Sequence, residues 1–203
     1  MPHHKTIIFD LGKVLVPFDF QLGYRAMAEY CPHPAPEIRR RIAATGLVAR
    51  LEKGLIEPRE FVERLCAALE VQLGYEDFRR VWGCIFSGQL IPDHVLKSLA
   101  ARYRLLLLSN TNFIHFETIQ AKYATLLQHF HDLVLSFEVH AMKPEPEIYQ
   151  AVLERAGCSP EECFYTDDIS EFVEAARREG IDSVQFESPA QLEREMNARG
   201  IVW

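Results

Sequence analysis

The stretch TIIFD at residues 6–10 decides the architecture, because four apolar or β-branched residues run without alternation straight into a carboxylate. A short apolar run that lacks the period of two fits a strand buried on both faces. The same construction recurs as LLLLSN at 105–110, as LVL at 133–135 leading toward Lys143, and as CFYTDD at 163–168, and residues 183–186 read as a fifth short strand. Between these runs, residues 92–103, 146–156 and 171–179 carry apolar side chains at helical spacing, with Gly157 and Gly180 as breakers. Strands alternating with helices predict a doubly wound α/β fold, a mainly parallel, Rossmann-like sheet covered on both faces. In that class ligands bind at the carboxyl ends of the strands.

Residues 17 to about 88 break the pattern. They hold helix-like stretches at 37–51 and 59–73 and no convincing buried strand. The interval is too long for an ordinary crossover between two strands. The expected organisation is a core of residues 1–16 and 88–203, with residues 17–87 inserted as a helical cap. Phe18 and Phe20 are placed as a hinge into that cap, and Trp82 and Phe86 as part of its core. The last helix-like piece, 191–199, reads as having a solvated face, and Arg39, Arg40 and Arg41 as another, from which one arginine could reach a substrate.

Composition sets outer limits. The 203 residues are 48% hydrophobic and 25% charged, which excludes disordered, collagenous and membrane classes. Five cysteines, an odd number with no C-x-x-C pair, suggest neither a disulfide framework nor a structural zinc. Twenty-two basic against 29 acidic side chains give a net charge of −7, which disfavours nucleic acid as a partner. No signal-peptide pattern opens MPHHKTIIFD and the longest apolar run is LLLL at 105–108, so the expectation is a cytoplasmic protein with no membrane association. His3 and His4 read as a solvated tail, and His129 and His131 as the end of a helix. Nothing in the chain specifies an oligomeric state.

Four polar clusters follow the strand runs: Asp10, Ser109 with Asn110, Lys143, and Asp167 with Asp168. Singly, each has a plain explanation as a turn or cap residue. Together, at one edge of a parallel sheet, carboxylates and an ammonium around a hydroxyl and an amide suit a divalent cation bound with a phosphate.

The motifs FDLGKVL at 9–15, LLLLSNTN at 105–112, MKPEPEIY at 142–149 and FYTDDISEFVEAARREGI at 164–181 resemble, in order and spacing, the haloacid dehalogenase superfamily of hydrolases. LEKGLIEPREF at 51–61 is similar to a stretch of that family's small helical cap, and DLGxVL resembles bacterial phosphatases of glucose 1-phosphate and related sugar phosphates. The resemblance implies a Mg2+-dependent phosphatase of a small phosphorylated metabolite. In that scheme Asp10 is the nucleophile that forms an aspartyl-phosphate. Asp10 and Asp168 ligate the metal with the carbonyl of Gly12, Asp167 supports it, Ser109 and Asn110 bind the phosphoryl group, and Lys143 neutralises its charge.

The chain departs from the resemblance at two places. Where most of these phosphatases carry a second Asp as general acid and base, this chain has Gly12, a loss of roughly 10²- to 10⁴-fold unless the leaving group departs easily or another residue substitutes. That expectation favours anomeric or acyl phosphates and predicts that Gly12→Asp raises turnover on alkyl phosphates, provided Gly12 does not have φ > 0. After Asp168, Glu171 stands near an expected Asp or Asn, either as a support for the site or as a first-turn carboxylate. The alternatives are a 2-haloacid dehalogenase using the same Asp10, disfavoured because an aromatic residue is usual where Gly12 stands, and a non-catalytic protein with this fold. A response-regulator receiver uses similar groups in a different order.

Overall fold

The computed structural model describes residues 4–202. Its strands β1 (Thr6–Phe9), β2 (Arg104–Ser109), β3 (Asp132–Leu135), β4 (Cys163–Asp167) and β5 (Asp182–Gln185) pair in parallel in the order β3-β2-β1-β4-β5. The chain steps outward from β1 to β2 and β3, then returns to lay β4 on the other side of β1. The ends of β1 and β4 therefore flank the point where strand order reverses, where a crevice opens in such sheets.

Both faces of the sheet are covered, which is why its strands lack alternation. Ile7, Phe9, Leu105, Leu107 and Phe164 point into one cluster with Leu96, Leu99, Ile119, Leu192 and Met196, while Ile8, Leu106, Leu108 and Tyr165 point into the other with Ile148, Tyr149, Val152 and Ala176. The first cluster is closed by α6 (Asp93–Ala100), α7 (Phe113–Lys122), α8 (Ala124–Leu127) and α12 (Pro189–Ala198); the second by α10 (Pro146–Ala156) and α11 (Ser170–Arg178). The short α9 (Ser136–Val139) follows β3 directly.

Between β1 and β2 lie α1 (Phe20–Ala28), α2 (Ala35–Thr45), α3 (Leu47–Glu52), α4 (Pro58–Leu69) and α5 (Tyr75–Trp82). They share an apolar cluster of their own around Met27, Ile38, Leu51, Phe61, Leu65 and Phe78. The start of α1 is set by the Asp19 side chain, which accepts from Gln21 N at 2.8 Å. The stretch expected as one helix over 37–51 is two, because Gly46 at φ 64° takes a left-handed conformation that ends α2 and redirects the chain into α3. The two connections to the sheet are zipped together: Phe18 bridges Phe86, Asp19 N donates to Ile85 O at 3.0 Å and Ser87 N to Pro17 O at 3.0 Å.

Several sequence expectations need correction. His4 is no solvated tail: it is buried, its Nε2 lies 3.0 Å from Asp182 Oδ2, and its ring meets Phe164 edge-on. His3 lies outside the described residues. Phe86 packs against the sheet cluster rather than the cluster of the inserted helices, whereas Trp82 stacks on Phe78 within the latter. The solvated face expected of the last helix is present, with Glu193 and Arg194 exposed opposite the buried Leu192 and Met196. His131 closes the turn before β3, its Nδ1 accepting from Leu105 N at 3.0 Å. Among the described residues no helix is long and apolar enough to cross a membrane.

Candidate active site

Strand register gathers the polar residues. Phe9 lies opposite both Leu107 and Thr166, so the next rung of the sheet carries Asp10, Leu108 and Asp167. Asp10 N donates to Thr166 O at 3.0 Å and extends the ladder by that rung. Lys143, on the loop before α10, spans it: Nζ donates to Asp10 Oδ1 at 2.6 Å, to Asp167 Oδ2 at 2.6 Å and to Leu108 O at 3.2 Å. An ammonium has three N–H groups, and all three are satisfied.

The burial of these groups sets their charge. Burial pushes the Asp10 carboxyl up to about 7; Lys143 pulls it down and Asp167 adds to the rise. Burial works against the charged form of Lys143, but Asp10 and Asp167 outweigh it and hold the ammonium above its usual range. The half-buried Asp168 is raised by burial and then by Asp167. Asp167 is already occupied: Oδ2 accepts from Lys143 and from the Tyr165 hydroxyl, and Oδ1 accepts from Ile169 N at 2.9 Å. Tyr165 went unnoticed in the sequence because it sits in an apolar strand; its spacing of two from Asp167 puts both on one face of β4.

Asn110 holds the lysine loop rather than facing outward. Its Nδ2 donates to Lys143 O at 3.0 Å and its Oδ1 accepts from Lys143 N at 2.8 Å. Ser109 is buried at the end of β2 and, with Asn110 and Thr111, lines a pocket with Gly12, Phe18, Glu52 and His115. Glu171 lies exposed in the first turn of α11, where the helix dipole favours a carboxylate, and Lys143 has no N–H left for it. Arg40 and Arg41 pair with Glu37 at 2.7 and 3.0 Å, while Arg39 faces an apolar cavity of about 320 Å³ in the cap, shared with Phe20, Tyr24, Trp82, Glu52 and His115.

The carboxylates of Asp10, Asp167 and Asp168 each offer an oxygen within 4.8 Å of the others. With Asp167 committed to Lys143, Tyr165 and Ile169, Asp10 and Asp168 are the two with oxygens to spare. An all-oxygen donor set fits a hard cation such as Mg2+, which takes few carboxylates and keeps several waters.

Gly12 is not in the left-handed region; that conformation belongs to its neighbour Lys13, at φ 58°. The obstacle to a side chain at position 12 is steric, since a Cβ there would lie 2.7 Å from Phe18 Cε1. That ring meets Phe20 and Phe86, so making room for a Cβ disturbs those contacts. Gly12→Asp is therefore expected to lower stability by about 1–3 kcal/mol and to leave alkyl phosphate turnover no higher. Gly12→Asp should cost less in a Phe18→Ala background than in wild type, and kcat/KM and Tm of the single and double variants check both points.

Fold and centre together define a hydrolase of the α/β class, with carboxylates, a lysine and a hydroxyl at the switch point of a parallel sheet. The model of the haloacid dehalogenase-like hydrolases matches residues 4–180, and the chain belongs to that family. It is 26% identical over 199 residues to a D-ribitol-5-phosphate phosphatase of Bacteroides thetaiotaomicron, covering 95% of this chain and 96% of that one. A phosphorylated carbohydrates phosphatase of Thermotoga maritima is 27% identical over 192 residues, with 89% and 83% covered. Among solved structures, a family enzyme of Bacteroides thetaiotaomicron in complex with magnesium and inorganic phosphate superposes with a TM-score of 0.81 at 28% identity, covering 92% of this chain and 96% of that one.

Proposed function

We propose that this hydrolase is a Mg2+-dependent phosphatase of a small phosphorylated metabolite, of the sugar-phosphate kind, that works through an aspartyl-phosphate on Asp10. The observation that carries this reading is the single rung on which Asp10, Asp167 and Leu108 meet Lys143, with the Asp168 carboxylate alongside. The relatives named as phosphatases of ribitol phosphate and of phosphorylated carbohydrates support it.

Asp10 attacks phosphorus with one of its carboxylate oxygens. Asp10 and Asp168 would hold Mg2+ through their side chains and Gly12 through its carbonyl, and the ion would supply positive charge that offsets the repulsion between a carboxylate and a phosphate dianion. Lys143, fixed by Asp167 and by both ends of the Asn110 amide, neutralises charge that develops on the phosphoryl group, and Ser109 donates to a phosphoryl oxygen. Asp167 acts through Lys143 rather than on the metal. Residues 17–87 form the cap that excludes water and contacts the leaving group.

Hydrolysis of p-nitrophenyl phosphate and of a panel of sugar and sugar-alcohol phosphates with Mg2+ tests the reading. Activity should vanish in EDTA and return with Mg2+. Asp168→Asn should raise the Mg2+ concentration for half-maximal activity by at least about tenfold, a loss seen even for groups that only orient metal ligands. Chloride release from chloroacetate in EDTA, with no phosphate ester hydrolysed, would reverse the assignment in favour of a dehalogenase.

A further inference from the structure

Glu52, the last residue of α3, lines a pocket together with Gly12, Ser109 and Asn110, the residues that follow Asp10 and β2. The titratable side chains that line this pocket are Glu52 and His115. His115 has no proton to exchange there. Its Nδ1 lies 3.0 Å from Asn112 Nδ2 and its Nε2 lies 3.2 Å from Trp82 O, a pure acceptor. The two partners thus assign the hydrogen to Nε2, and burial pushes the imidazole down to about 4, so the ring stays neutral. Glu52, by contrast, has no hydrogen-bond or ion-pair partner among the described residues, and burial holds its carboxyl up to about 7. Tyr24, Arg39 and His115 are the other titratable groups on the cap cavity that it also lines.

Its position is set from the catalytic side. Lys53 Nζ pairs with Glu145 Oε1 at 2.5 Å, His140 Nδ1 donates to Lys53 O at 2.9 Å, and Glu145 Oε2 accepts from Met142 N at 3.0 Å. A Cβ on Gly54 would stand 2.2 Å from Phe137 O, so only glycine lets this turn approach the core so closely. The cap turn that carries Glu52 is thus fastened to the loop that carries Lys143.

We propose that Glu52 is the general acid and base of this site, supplying from the cap the carboxyl group that Gly12 lacks. This rests on the phosphatase reading above. In the first step an Asp10 oxygen bonds to phosphorus, the bond from phosphorus to the leaving oxygen breaks, and the Glu52 carboxyl proton passes to that oxygen to release the alcohol. In the second, Glu52 takes a proton from water as its oxygen bonds to phosphorus. The bond from phosphorus to Asp10 breaks, freeing phosphate and leaving Glu52 protonated again.

The test compares kcat/KM of wild type and Glu52→Gln, with Mg2+, on glycerol phosphate and on p-nitrophenyl phosphate between pH 5 and 9. Because kcat/KM reports departure of the leaving group, and p-nitrophenolate departs without a proton, the variant should lose about 10²- to 10⁴-fold on the alkyl ester and at least tenfold less on the aryl ester. Wild-type kcat/KM on the alkyl ester should fall as pH rises through about 7, as an acid with that pKa deprotonates. The falling limb should disappear in Glu52→Gln. Equal losses on both esters, or alkyl activity kept within about threefold, would overturn the assignment while the phosphatase reading stood. Folded wild type that hydrolyses neither ester overturns both.

Discussion

Asp10→Asn should abolish hydrolysis of p-nitrophenyl phosphate, lowering kcat by about 10⁴-fold or more, the scale on which nucleophile removal acts in covalent catalysis. The amide is isosteric with the carboxylate and leaves Asp167 as the counter-charge of Lys143, so the fold is expected to tolerate it. Lys143 keeps its contacts with Asp167 and Leu108 O. Near-ultraviolet circular dichroism and Tm in EDTA should therefore resemble wild type while activity is gone. A folded Asp10→Asn protein that retains more than about a hundredth of wild-type kcat would remove Asp10 from the role of nucleophile.

The second large effect is on stability as well as rate. Lys143→Met removes a buried ammonium from between two buried carboxylates, each 2.6 Å from it. Breaking a buried pair from one side costs about 3–5 kcal/mol, because the remaining carboxylates lose their buried counter-charge. For a chain of this length that corresponds to a Tm lower by roughly 10 °C, measured in EDTA so that no cation substitutes for the lysine. The kcat should fall by at least about 10²–10³-fold through lost stabilisation of phosphoryl charge. Adding Asp167→Asn to Lys143→Met should restore part of the stability and none of the activity, since it removes an unpaired charge without replacing the cation. A Lys143→Met protein that melts within about 2 °C of wild type would show that the ammonium is not the centre of this network.

Both effects follow from one rung of the sheet, and that rung bears on how much of the protein was legible beforehand. The three central strands were readable because β1, β2 and β4 are buried on both faces and so appear as apolar runs ending in a polar residue, whereas the edge strands β3 and β5 are only partly buried and leave shorter runs. Asp10, Ser109, Lys143, Asp167 and Asp168 were readable as candidates because parallel strands deliver the residues after them to one edge. The break at Gly46 was missed because a helix-favouring pattern continues across it, and only the left-handed glycine marks the turn. His4 was misjudged because its position near a terminus says nothing of Asp182 and Phe164, which lie far along the chain.

Within the site, the residue types were legible and their division of labour was not. Asn110 turned out to clamp the Lys143 main chain, Asp167 to hold the ammonium, and Tyr165 to back Asp167, because these depend on which atoms face each other across the sheet. Glu52 lay unremarked inside LEKGLIEPREF, since its meaning depends on a neighbouring His115 with no free proton, on the Phe18 ring beside Gly12 and on a turn fastened to Glu145. The obstacle now expected for Gly12→Asp has the same origin: a Cβ at position 12 would stand 2.7 Å from a ring six positions away in sequence.

The amino-acid order alone determined the sheet, its parallel sense, the helical insertion and the set of ionisable groups gathered at one edge, because burial on two faces and the connection of strands through helices are local and periodic properties. Which carboxylate keeps an oxygen for a metal, which one holds the lysine, and which cap residue shares the pocket with Gly12 were decided by the tertiary structure. Hydrogen bonds of about 3 Å depend on the relative placement of groups far apart in the chain, and no periodicity encodes that.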